Sequence, residues 1–156
     1  HPSIRPLSGL EDEPSSPLPA YRWIHTDAAL REQLLLEEEG HDVTLSKGHA
    51  AIRFINPTTG KDVLPTIRCQ FHRLRSGAKS AAARDVGSSV FQVFEGSGHV
   101  TLGGKRHYLE KGDIFVVPSW IEWFIEADVE NVSPDLALFQ FCDAPIMEKL
   151  NFARSI

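Results

Sequence analysis

The chain has 156 residues and a net charge of −5, with apolar residues at 42% and charged residues at 24%, a profile that suits one globular domain with or without a tail. The acidic balance argues against a nucleic-acid partner, whose phosphates demand a basic face, and no apolar run nears the ~20 residues that cross a bilayer. Cys69 and Cys142 form no CxxC pair, and the start carries no apolar signal stretch, so free thiols in a reduced, cytoplasmic compartment are expected.

Residues 1–20 hold five prolines and little apolar periodicity, which predicts a linker or arm ahead of a domain over 21–156. Thr26 is placed to cap a helix over 27–39, with Leu30, Leu34 and Leu35 as its apolar stripe and Gly40 as its stop. Strands are then expected over 51–55, 66–75, 90–94, 99–102, 105–109, 114–117, 123–127 and 136–141, with a turn at 56–60. In the second of these, Ile67, Cys69 and Phe71 share one face and Arg68, Gln70 and His72 the other. Arg68, Arg73 and Arg75 read as a solvated or subunit-facing stripe, with a bidentate carboxylate clamp as the rival reading. The run Glu37–Glu39 reads as a solvated helix end. Gly103-Gly104 suits a tight hairpin, and Pro145 opens a short helix over 145–151. Many short strands broken by glycine turns indicate an all-β jelly-roll or related barrel with one or two short helices.

Two stretches sharpen this. Gly77–Gly96 (GAKSAAARDVGSSVFQVFEG) and Gly112–Ala127 (GDIFVVPSWIEWFIEA) carry the spacing of the two cupin motifs, G-x5-H-x-H-x3/4-E-x6-G and G-x5-P-x-G-x2-H-x3-N. The chain thus resembles a cupin, a double-stranded β-helix whose histidines and glutamate hold a metal. Here the two histidine positions of the first motif hold Ala83 and Asp85, and the glutamate position holds Ser89. Trp120 stands at the glycine of the second motif and Trp123 at its histidine. Alanine, serine and tryptophan do not supply a ligand set, so the expectation is a barrel with no metal at Ala83, Asp85, Ser89 and Trp123, and no catalytic residues of its own.

Three readings of what remains stay open. The aromatic residues around Trp120 and Trp123 either fill the interior or line a pocket for a flat ligand. His72 and His107, with Asp85, are candidates for a rebuilt site. The histidines are otherwise half-exposed surface residues.

Further segments carry a narrower resemblance: Trp23–Leu34 (WIHTDAALREQL), Ile52–Thr66 (IRFINPTTGKDVLPT), Ser88–Gly98 (SSVFQVFEGSG), Gly112–Trp120 (GDIFVVPSW) and Phe139–Leu150 (FQFCDAPIMEKL). These look like the C-terminal half of the gentisate 1,2-dioxygenases and their salicylate and hydroxynaphthoate relatives, with Cys142 where a serine is expected. The resemblance implies a bicupin that cleaves gentisate with Fe(II) and O2 to give maleylpyruvate, the iron sitting in the N-terminal cupin. It implies for this chain a metal-free role in folding and assembly, with the iron-bearing half as partner and a homotetramer for the complete enzyme. A small-molecule-binding cupin sensor is the alternative. The first residue is His1 rather than Met, which fits a piece of a longer protein.

Overall fold

A computed structural model describes residues 20–129 and 135–156; the segment predicted as an arm lies outside them apart from Ala20. The elements run α1 (Trp23–Glu38), β1 (His49–Arg53), β2 (Ile55–Asn56), β3 (Lys61–Asp62), β4 (Arg68–Leu74), β5 (Ser89–Glu95), β6 (Gly98–Leu102), β7 (Lys105–Leu109), β8 (Ile114–Val117), β9 (Trp123–Ala127), β10 (Leu136–Cys142) and α2 (Ala144–Lys149). Five strands form one antiparallel sheet in the order β1-β4-β10-β5-β8, three form a second in the order β7-β6-β9, and β2-β3 is a small hairpin. This is the jelly-roll arrangement of a cupin-type fold, although among the described residues the two large sheets do not close into one hydrogen-bonded ring.

The sheets enclose the main core, which includes Leu74, Phe91, Val93, Val100, Ile125 and Leu138. Alternation produces it: in β9 Trp123, Ile125 and Ala127 are buried while Phe124 and Glu126 face outward and are only partly covered. Gly98 permits the closest strand approach, since a Cβ there would lie 2.1 Å from the Glu126 carbonyl oxygen. A second cluster, Leu30, Leu34, Ala50, Phe71 and Ala137, lies where α1 packs on the outer face of the five-stranded sheet.

The helix departs from its predicted form. It begins at Trp23 with Arg22 at the N-cap and no side-chain cap, and Thr26 is buried inside it. Trp23 packs at 5.0 Å from the Phe71 ring and 4.6 Å from Phe94, and this tertiary contact outweighs the local capping preference. Thr26, Leu30 and Leu34 are its buried residues, whereas Leu35 is 58% exposed. The end is as expected: Gly40 takes φ +92°, with Gly40 N–H donating to the Glu37 carbonyl and His41 N–H to that of Leu36, the paired bonds of a Schellman stop.

The arginines of β4 are not a solvated stripe. Arg73, 1% exposed, is paired with Asp27 of α1 and with Asp135. Arg68 bonds Asp62 through two nitrogens and also reaches Glu148, and Arg75 pairs with Glu38. Glu37 accepts from Gly48 N–H and the Thr44 hydroxyl. Charges read as facing solvent instead pin α1 and α2 to the sheet.

Candidate functional site

The positions a cupin uses for metal ligands converge here, with other side chains on them. Ala83 and Trp123 form a β-bridge, each N–H donating to the other's carbonyl at 2.9 Å. The Trp123 indole N–H donates to Asp85 Oδ2 at 3.3 Å, and Trp120 N–H donates to the Asp85 carbonyl at 2.7 Å. The two motifs are therefore stitched edge to edge. Trp120 keeps φ +62° at the glycine position, so the backbone turn survives the loss of the residue that suits it.

The two tryptophans sit in different surroundings. Trp123 is buried with its ring centroid 5.3 Å from that of Phe91, while Trp120 is 39% exposed with Arg84 over its ring. His72 and His107 also part. His72 is buried on β4, whereas His107 is exposed on β7, the edge of the other sheet.

What His72 joins instead is a chain of polar groups across the interior. His49 Nε2 lies 2.9 Å from His72 Nδ1, His72 Nε2 lies 2.6 Å from Gln140 Oε1, and Gln140 Nε2 donates to Ser89 Oγ at 2.9 Å. Because the Gln140 carbonyl can only accept, His72 donates from Nε2 and accepts at Nδ1 from the Nε2–H of His49. With Nδ1 accepting, the His72 ring is neutral. Burial lowers the pKa of His49 to about 3, helped by neighbouring His72, and burial also lowers that of His72. His49 Nδ1 is buried without a protein hydrogen-bond partner.

His49 lies two residues ahead of the first predicted strand, over 51–55. The missed signal is alternation beginning two residues earlier: β1 starts at His49, and Ala51 pairs with His72, which puts His49 on the inner face. Gln140 was missed with it, a buried amide in an otherwise apolar strand.

Beside this chain is a cavity of about 210 Å³, whose lining includes Asp85, Ser89, Arg68, Gln70, Gln140 and Cys142. The chain's last residues cover it: Asp85 bridges Ser155, and Arg84 and Ile156 exchange two backbone bonds. Both cysteines are free and burial raises their thiol pKa values. Among the described residues no group of three or more His, Cys, Asp or Glu is placed to hold a metal ion. The donor set at the converged positions, one carboxylate with an alanine, a serine and an indole, does not fit iron.

Two facing antiparallel sheets with these motif positions brought together define a cupin-type domain. A cupin-2 domain from Rhodospirillum rubrum shares the fold at TM-score 0.52 and 14% identity over 62% of this chain. The chain is 50% identical over 155 residues to a gentisate 1,2-dioxygenase of Streptomyces sp., covering 99% of itself and 42% of that protein. It is 28% identical to a 5-aminosalicylate 1,2-dioxygenase of Comamonas sp., covering 96% of itself and 38% of that protein. It superposes on a salicylate 1,2-dioxygenase from Pseudaminobacter salicylatoxidans with TM-score 0.86 and 57% identity, covering 100% of this chain and 43% of the other. No protein-family profile matches. The chain belongs to the gentisate and salicylate 1,2-dioxygenase family and spans less than half the length of these relatives.

Proposed function

We propose that this chain is the supporting, metal-free cupin of a ring-cleaving dioxygenase that acts on gentisate or a related hydroxy-aromatic acid. Residues 21–156 are its C-terminal cupin domain and residues 1–20 its linker. Fe(II) belongs to the other cupin of the same polypeptide, which opens the ring with O2 to give maleylpyruvate, in a cytoplasmic homotetramer. The single observation that carries this reading is the pairing of Ala83 with Trp123 and of Trp123 with Asp85. It keeps the place of a cupin metal centre while leaving one carboxylate there, too few donors to hold a metal.

The test is metal analysis and oxygen uptake. The purified 156-residue chain, given Fe(II) and gentisate, is expected to retain no stoichiometric iron and to consume no oxygen. Placed within the salicylate 1,2-dioxygenase in exchange for the matched segment, it is expected to support both. Stoichiometric iron and ring cleavage by the chain alone would overturn the reading.

A further inference from the structure

The inner face of the five-stranded sheet changes character along its length. At one end Leu74 pairs with Leu136 and Leu138 with Val93, all within the main core. At the other end Gln70 stands beside Gln140, and Arg68, Cys142 and Ser89 share a row. These side chains border the cavity of about 210 Å³, together with Asp85. Arg68 is only 9% exposed and Gln140 only 7%. A polar inner face left open costs free energy unless something pairs with it. Asp85 and Ser89 stand at two of the cupin ligand positions, so the space is kept although the ligand set is not.

Three features select what would fill it. The polar chain has a direction: His49 donates to His72, His72 to Gln140 and Gln140 to Ser89. The Ser89 hydroxyl is left to donate, strengthened by the bonds behind it. Asp85 does the opposite, since Oδ2 takes the Trp123 indole N–H and Oδ1 remains to accept. The cations are already engaged, Arg68 by Asp62 and Glu148 and Arg154 by the carbonyls of Asn151 and Ala153. Against these two arginines the lining sets Asp85, Asp143 and Glu148, a balance that disfavours an anion. An ammonium group cannot accept from Ser89, and a carboxylate cannot donate to Asp85. A hydroxyl does both.

We propose that the cavity at the cupin ligand positions binds a small uncharged polyol, one hydroxyl of which accepts from Ser89 and donates to Asp85. The Gln70 amide borders the same space and meets a second hydroxyl. Pockets for drug-sized ligands span ~300–1,000 Å³, so this smaller cavity suits a molecule of a few carbons. The site does not depend on which half of a dioxygenase the chain supplies.

The test titrates the ¹⁵N-labelled chain with erythritol and follows its three indole N–H resonances. Trp123 reports on the site because its N–H is bonded to Asp85. Its signal is expected to shift saturably, with a Kd on the order of 1 mM. That of Trp23, packed under α1 on the outer face, is expected to stay in place. Glycerate, a carboxylate of similar size, is expected to give no saturable shift. Ser89→Ala removes the donor, and Cys142→Leu narrows the cavity without touching the polar chain. Each is expected to keep the parent's circular dichroism and to weaken erythritol binding at least tenfold. Cys142→Leu decides alone if Ser89→Ala, which leaves the Gln140 N–H without its acceptor, does not fold. No saturable shift with erythritol means that the cavity holds water only, and overturns the proposal. Glycerate binding as tightly as erythritol makes it an anion site, and undiminished binding in Cys142→Leu puts the polyol elsewhere; either result also overturns it.

Discussion

At the scale of single residues, the interior histidines make stability depend on pH. Burial lowers the pKa of His49 and of His72 in the folded chain, whereas in the unfolded chain each titrates near 6.5. Below that value the unfolded state binds more protons, so their contribution is full above about pH 6.5 and is lost as pH falls toward 3, where folded His49 itself protonates. For His49 the loss is about 1.4 kcal/mol per pH unit over that window, and the lowered pKa of His72 acts in the same direction. Urea unfolding at pH 7, 6 and 5 checks it, and the slope is expected to flatten when His49 is replaced by glutamine. Trp120 offers a second test. A non-glycine residue held at φ +62° stores about 1–2 kcal/mol, against about 0.5–1 kcal/mol for the exposed contact of Arg84 with its ring. Trp120→Gly is therefore expected to leave the melting temperature unchanged or raise it by a few degrees, and a clear fall would show that the ring packs more productively than its exposure implies.

At the scale of elements, α1 separates what sequence shows from what it hides. Its stop was legible because Gly40 has one conformational use there, and its presence because the leucines recur at helical spacing. Its start was not, because Thr26 offers a sound local cap that loses to the packing of Trp23 on a strand far along the chain. The stripe is correspondingly narrower than the leucines suggest. Leu30→Ala is expected to cost about 2–5 kcal/mol, since Leu30 is fully buried. Leu35→Ala is expected to stay within about 0.5 kcal/mol, as exposed positions do. Thermal melts of the pair decide between this stripe and one centred on Leu34 and Leu35. Arg73 teaches the same lesson from charge. Alternation put it on the face of Cys69 and Phe71, and an arginine on an apolar face signals an internal ion pair rather than a wet surface.

At the scale of the whole molecule, which side chains stand at the cupin ligand positions is read from residue identity at fixed spacing. That Ala83, Asp85 and Trp123 come together follows from the same motif spacing. The polar chain through His49 and Gln140 was not legible, since it requires strand register.

The indole of Trp123 carries a last consequence, for descent rather than for chemistry. A histidine there is smaller than the indole now packed against Phe91, and its ring N–H would have to replace the indole N–H that Asp85 accepts. Restoring that one ligand lowers stability before any metal can repay it, because a single imidazole among alanine, aspartate and serine binds nothing. The packing acts as a ratchet: a domain that has filled this place with an aromatic side chain is held to its supporting part by its own core.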